Sequence, residues 1–299
     1  MAKKELVMLC RDGDEDDLRD PNNVTEYKYD GTSLKAEKKH NKVRLMNRNG
    51  VIYTVRLPEI LRALLAVNED DFVVHGEVIY VNEELGREEF HPCQVRCATH
   101  FPDFWLIRQY PLKFAIFDVM RRKGRNVEKK PFLQRKTMLR EMLEDCIDDR
   151  LRYVPYRYDC VKHFEETKKA EGEGLIAKDV NSGYVYERSY SWLKVKNWRH
   201  EVCDVVGFTQ GKNSRRHFFG ALVLAKDGKR IGKAGGGFND WELRQVKDIL
   251  SDAPRVTEPF DIGEPYTAIQ TDLRVQVKYY QLTGLNKVMR EPVFEKIVS

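Results

Sequence analysis

The chain has 299 residues, and its 52 Lys and Arg against 47 Asp and Glu leave a formal charge of only +5. A hydrophobic content of 41% is enough to core one large domain or two, while no apolar run nears the roughly 18 residues that span a bilayer and Met1-Ala2-Lys3-Lys4-Glu5 lacks a signal peptide's apolar stretch. A membrane span and a disulfide framework are therefore excluded as expectations, the six scattered cysteines suiting a reducing compartment. The many cations permit a phosphate-bearing partner without demonstrating one.

Asp12, Asp14 and Asp16 imitate the start of a calcium loop, but Asp17 stands where glycine is needed and Asn23 where glutamate is, so a solvated acidic loop is expected. The alternating run Glu26-Tyr27-Lys28-Tyr29-Asp30-Gly31-Thr32-Ser33-Leu34-Lys35-Ala36 reads as one strand, near 26–38, with one buried face. It carries Lys28 on a rigid element, where burial and nearby charge lower an amine's pKa and make it a nucleophile. Gly31 is read as admitting a bound phosphate or a bulge. Further strands are expected near 42–46, 72–81, 112–120, 173–179 and 190–196. Helical spacing appears in 57–65 and in Met138-Leu139-Arg140-Glu141-Met142-Leu143, within a segment starting after Pro131. His91, Cys93, Cys97 and His100 match no strong zinc spacing and read as structural. On the last strand Lys194 and Lys196, two apart, share a face, as do Trp192 and Lys194.

The texture changes after Trp198-Arg199-His200, where short β-branched and aromatic runs take over. One helix, capped at Asn239-Asp240 and ending at Leu250, interrupts them, and strands are expected at 272–282 and 287–294. Five or so short strands and one helix suit a small closed barrel of the OB type. Gly207 to Ser214 is not a P-loop, being one residue short and having Asn213 where Ser or Thr belongs.

In order and approximate spacing, Lys28-Tyr29-Asp30-Gly31, Asn47-Arg48-Asn49-Gly50, His75-Gly76-Glu77-Val78, Phe114-Ala115-Ile116-Phe117-Asp118, Glu173-Gly174-Leu175-Ile176-Ala177-Lys178 and Trp192-Leu193-Lys194-Val195-Lys196 resemble the covalent nucleotidyltransferases. That superfamily comprises ATP-dependent DNA ligases, RNA ligases and capping guanylyltransferases. The second half is similar to the ligase module of bacterial and archaeal end-joining ligase D, through Gly207-Phe208-Thr209-Gln210-Gly211-Lys212, Phe219-Gly220-Ala221-Leu222, Gly232-Lys233-Ala234-Gly235-Gly236-Gly237-Phe238 and Glu291-Pro292-Val293-Phe294. The resemblance implies an α+β adenylation domain of antiparallel sheets flanked by helices over 1–198 and an all-β OB-fold barrel over 199–299. With nothing before residue 24 to encircle DNA, it implies a minimal ligase core.

The implied reaction is ATP-dependent DNA ligation at 3′-hydroxyl/5′-phosphate nicks in three phosphoryl transfers, through AMP held on Lys28. Such chemistry needs a nucleophile, metal ions and cations around the phosphates. In this resemblance Lys28 is the nucleophile, with Lys194 and Lys196 lowering its pKa by like-charge repulsion. Glu77 and Glu173 hold Mg²⁺ or Mn²⁺, Glu77 also touching the ribose, and Asp30 holds a second metal or orients the 3′-hydroxyl. Phe117 stacks on adenine, against a rival reading as core packing. Glu26 accepts from the adenine amino group, Arg48 meets the ribose or the nick 5′-phosphate, and Lys178 reaches the α-phosphate. The implied partners are nicked double-stranded DNA and end-joining proteins, with no membrane, for a monomer in a prokaryotic cytoplasm at the nucleoid.

Three departures stand out. Ser33 occupies the place, five after the lysine, where DNA ligases usually carry Arg. His75 replaces the aspartate of the usual D-G-E. The family's terminal R-x-D-K, which orients pyrophosphate, has no counterpart in Glu295-Lys296-Ile297-Val298-Ser299, leaving Lys296 or Arg290 as substitutes and a slow first step. Ser33 favours an RNA ligase as the alternative, and the altered ending favours a nonenzymatic nucleic-acid-binding module. A capping enzyme and the use of NAD are both disfavoured.

Overall fold

A computed structural model describes residues 6–283 and 288–298. Met1–Glu5, residue 287 of the expected strand 287–294, and Ser299 lie outside the described residues. The chain divides into two compact units, 1–196 and 197–299.

The first unit is built on two sheets. One has seven strands, with Lys42–Asn47, Thr32–Lys39, Asp71–Asn82, Leu112–Arg122 and Arg125–Asn126 in that order. Arg87–Glu88 is added on Asp71–Asn82, and Leu151–Tyr153 runs parallel to Leu112–Arg122. Alternation sets its faces: Leu34 and Ala36 point into the main core and Lys35 and Glu37 away from it. The helices Pro58–Ala66, Phe90–Ala98 and Phe132–Leu143 give Ile60, Leu64, Cys93, Cys97 and Leu139 to that core, against Phe72, Val74, Phe114 and Ile116. Lys38 is buried and donates to the carbonyls of Leu65 (2.9 Å) and Val67 (2.7 Å), satisfying acceptors that the end of Pro58–Ala66 leaves open.

The other sheet has five strands, in the order Leu9–Asp12, Arg188–Lys196, Gly174–Asp179, Asn23–Tyr27, Tyr156–Arg157. Its pairs are antiparallel except Leu9–Asp12, which runs parallel to Arg188–Lys196. Both sheets thus carry one parallel pair, a departure from the all-antiparallel expectation that a period-two pattern has no means to reveal.

The single strand expected over 26–38 is two strands in different sheets. Asn23–Tyr27 belongs to the five-stranded sheet, Thr32–Lys39 to the seven-stranded one, and Lys28 to Gly31 form the link. Lys28 therefore sits at a sheet-to-sheet crossing and not inside a strand. Gly31 is required by the protein's own backbone: a Cβ there would strike the carbonyl oxygen of Val78 on the neighbouring strand. Asp12 likewise lies in strand Leu9–Asp12, with Lys194 its register partner, so only the residues after it form the acidic loop.

In the second unit, Lys229–Ala234, Phe219–Lys226, Arg199–Gln210, Arg274–Tyr279 and Val293–Val298 lie in that order, with Thr267–Ala268 added on Arg199–Gln210. A parallel bridge between Gly236 and Val293, with the Phe294 N–H donating to the Gly236 carbonyl at 2.9 Å, joins the two ends of the series. The helix Asp240–Asp252 begins with a capping box between Asn239 and Glu242 and packs Leu243, Val246 and Leu250 into the core with Phe219, Leu224, Val275 and Phe294. Residues 207–210 are strand, which bears out rejecting a P-loop there.

Candidate active site

A cavity of about 260 Å³ opens in the first unit between the two sheets, walled by side chains from both. Glu26, Lys28, Arg48, Glu77, Phe117, Lys178 and Lys194 all line it, as do Ser33, His75 and Trp192. Glu173, Asp30 and Lys196 are outside the lining. Glu173 is nonetheless bound to the centre of the site, since Lys28 Nζ donates to its carboxylate. The two backbones are tied as well, Lys28 N–H to Gly174 O at 3.0 Å. Gly174 has φ +143, and a Cβ there would collide with the Val195 carbonyl, so the strand Gly174–Asp179 can press against Arg188–Lys196 at this point only with glycine.

Alternation places Trp192 and Lys194 on one face, and both line the cavity. Lys194 Nζ lies 3.0 Å from Asp12 Oδ1. Phe117 forms an edge-on cluster with His75 (ring centroids 4.5 Å apart) and Trp192 (5.8 Å). It is thus both a cavity wall and a packing residue.

Glu26 and Lys178 are placed differently from what their implied roles suggest. Glu26 is buried between two ammonium groups, Lys178 at 2.6 Å and Lys136 at 2.7 Å. Lys178 Nζ lies 3.9 Å from the Trp192 ring centroid and 4.6 Å from that of Phe117, over the same aromatic wall on which adenine was expected to stack. Lys136 also donates to the Val154 carbonyl at 2.5 Å, and burial lowers its pKa.

Burial, followed by the repulsion of Lys178 and Lys35, holds His75 down to about 3, so its imidazole is neutral. One ring nitrogen is 2.9 Å from Ser33 Oγ and the other 2.9 Å from the Tyr184 hydroxyl. Burial also pushes the Glu77 carboxyl up to about 8, against the pull of Lys28 and with the help of Glu173 and Asp30.

Among the described residues no three His, Cys, Asp or Glu side chains cluster as a ready-made metal site. Mg²⁺ needs only one or two carboxylates when phosphate oxygens and water complete its shell. Glu77, crowded by two further carboxylates, fits that mode, because a divalent cation relieves the burial and repulsion that raise it. The Cys93 and Cys97 side chains are packed in the main core, Cys93 Sγ donating to the Val78 carbonyl at 3.2 Å.

Several lining residues were missed in the sequence. Arg188 follows from the same alternation as Trp192 and Lys194, extended four residues upstream. Met8, Leu9 and Cys10 come from the short strand beside the acidic run. Lys136, outside the lining but paired with Glu26 from Phe132–Leu143, carries no local signal at all.

Residues 8–196 match the family model described as the ATP dependent DNA ligase domain. The chain belongs to the ATP-dependent DNA ligase family. It is 30% identical over 250 residues to a DNA ligase of Sulfophobococcus zilligii, covering 75% of this chain and 40% of that protein. Over 283 residues it is 29% identical to the multifunctional non-homologous end joining protein LigD of Pseudomonas aeruginosa, covering 90% of this chain and 32% of that one. The crystal structure of the ligase domain of M. tuberculosis LigD superposes with a TM-score of 0.58 at 26% identity, covering 98% and 94% of the two chains. A Lig E DNA ligase shares the fold at TM-score 0.66 and 18% identity, covering 97% and 98%. The resemblance read in the sequence, ligase D included, is borne out. The chain spans between 32% and 49% of the length of its curated relatives.

Proposed function

We propose that this ligase-family chain seals 3′-hydroxyl/5′-phosphate nicks in double-stranded DNA with ATP, through AMP carried on Lys28. The observation that carries the reading is the position of the Lys28 amine: inside a cavity walled by Lys178, Lys194 and Arg48, with its ammonium already donating to a carboxylate. In the first step the Lys28 amine attacks the α-phosphorus, a P–N bond forms, the α–β bond breaks and pyrophosphate leaves. Glu173, in contact with Nζ, is placed to accept the amine proton. AMP then passes to the 5′-phosphate with breakage of the P–N bond, and the 3′-hydroxyl displaces it.

Lys194 and Lys178 offset phosphate charge, and Phe117 and Trp192 supply an apolar wall for a base. Lys178 must exchange Glu26 for phosphate to do this. Glu77 and Glu173 would hold Mg²⁺ or Mn²⁺, which supplies charge neutralisation on the phosphates when bound. Asp30 and Lys196 lie outside the lining; Asp30 acts through its charge on Glu77, and Lys196 through the strand Arg188–Lys196 that it shares with Lys194.

Residues 1–198 serve as the adenylation domain. We read 199–299 as an OB-type barrel that grips the duplex. Five strands closed by the Gly236–Val293 bridge, with a helix between the third and fourth, support that reading. Similarity to LigD supports a role in end joining. A nicked duplex with a labelled 5′-phosphate tests the proposal: the label should become phosphatase-resistant with ATP and a divalent metal, and label that stays removable contradicts it.

A further inference from the structure

Glu26 is a buried carboxylate that holds two ammonium groups, and it holds them on opposite terms. Lys178 lines the Lys28 cavity, donates to Glu26 Oε2 at 2.6 Å and lies over the ring faces of Trp192 and Phe117. Lys136 comes from the helix Phe132–Leu143, is wholly buried and stands outside the cavity lining. Its Nζ is 2.7 Å from Glu26 Oε1 and donates to the carbonyls of Val154 (2.5 Å) and Phe117 (3.3 Å). The Tyr153 ring centroid lies 4.2 Å from the same nitrogen. Three oxygens around one nitrogen suit an ammonium, which has three protons to give.

One lysine is therefore locked and the other is able to leave. Lys178 has the cavity beside it, and its flexible stem lets the amine turn toward a bound phosphate. Lys136 is walled by backbone carbonyls and an aromatic ring, with no path into the cavity. The departure of Lys178 carries an electrostatic condition, because removing one partner of a buried ion pair strands the other charge. With Lys136 in place, Glu26 keeps a counter-ion after Lys178 has gone. Without Lys136, Lys178 would be the one ammonium left on Glu26, and a phosphate would have to compete with a buried carboxylate for it.

We propose that Lys136 is a positioning residue for AMP attachment: as the standing counter-ion of Glu26, it releases Lys178 to the phosphates of the bound nucleotide. The proposal rests on the reading that the Lys28 cavity takes ATP and that Lys178 meets its phosphate. The test is equilibrium binding of ATP in EDTA, where no turnover occurs, with thermal melts alongside. The proteins compared are the unsubstituted chain, Lys178→Met, Lys136→Met, and Lys136→Met combined with Glu26→Gln. Lys178→Met should weaken ATP about tenfold, the loss of one charged hydrogen bond. Lys136→Met, which leaves Glu26 paired with Lys178 and so should fold, is expected to lose about as much although Lys178 is intact. Adding Glu26→Gln removes the carboxylate that detains Lys178 and should restore most of the lost affinity.

Lys136→Met that binds ATP as tightly as the unsubstituted chain, or a double variant as weak as Lys136→Met, overturns the proposal while leaving the ATP reading intact. Full-strength binding by Lys178→Met overturns it too, since Lys178 then has no phosphate to meet. If Lys136→Met does not fold, the double variant decides alone: it should bind ATP close to the unsubstituted level, and a loss of about tenfold contradicts the proposal. Failure of the unsubstituted chain to bind ATP overturns both readings.

Discussion

Lys28 and Glu173 are held together twice, by an ion pair between their side chains and by the Lys28 N–H donating to the carbonyl of the residue after Glu173 at 3.0 Å. The lysine side chain is 19% exposed and the glutamate 8%, so the pair is shielded but reachable from the cavity. Glu173→Gln keeps the shape of this contact while removing the proton acceptor and the metal charge. It should slow AMP attachment about 100-fold or more, near 2.7 kcal/mol of barrier, with the melting temperature nearly unchanged. Single-turnover labelling beside a thermal melt checks this, and a parallel loss of both would make Glu173 a folding residue.

The raised carboxyl of Glu77 has a pH signature. Its folded-state value of about 8 lies above the usual 4.5, so its contribution favours the fold below about pH 4.5 and is lost as pH rises through about 8. Without nucleotide or metal, Glu77→Gln should therefore be more stable than the unsubstituted chain at pH 9, by about 1–3 kcal/mol, and no more stable at pH 4. Urea melts at the two pH values measure the difference. A gain of equal size at both would show that the carboxyl does not titrate as described.

Lys178 bridges Glu26 and the faces of Trp192 and Phe117. Lys178→Met preserves the apolar contact and leaves Glu26 paired with Lys136. The fold should tolerate this with about 1 kcal/mol or less of change, while AMP attachment falls at least tenfold because a phosphate contact is gone. Labelling at the original rate would mean that Lys178 only closes the aromatic wall.

Asp118 and Arg135 form a two-pronged ion pair, at 2.8 and 2.9 Å, with neither side chain exposed. Arg135 also donates to the carbonyls of Lys130 (2.5 Å) and Ser182 (2.8 Å). Arg135→Met strands a buried carboxylate and should cost about 3–5 kcal/mol, seen as a lower urea midpoint. A stability change under 1 kcal/mol contradicts the burial.

Lys28, Glu77, Glu173 and the strand Arg188–Lys196 stood out in the sequence because each lies in a short local pattern, and alternation alone put Trp192 and Lys194 on one face. The break at Lys28 to Gly31 was invisible, since alternation runs on unchanged through a crossing from one sheet to another. The strand Leu9–Asp12 was missed because its partner, Arg188–Lys196, lies far along the chain and the acidic residues after it dominate the local composition. The Glu26–Lys136–Lys178 group escaped for the same reason: three elements meet there, and nothing in any one of them marks the encounter. The helices Phe104–Gln109 and Cys160–Lys169 were also unread, the first too short for a clear period and the second mostly polar.

The role of Lys28 is tested most directly by incubating the chain with α-labelled ATP and a divalent metal, resolving it on a denaturing gel and chasing with nicked DNA, beside Lys28→Ala. One labelled band that discharges onto nicked DNA to give sealed product, and is absent in Lys28→Ala, is the expected result. A labelled band in Lys28→Ala, or none in folded, AMP-free unsubstituted protein, contradicts it.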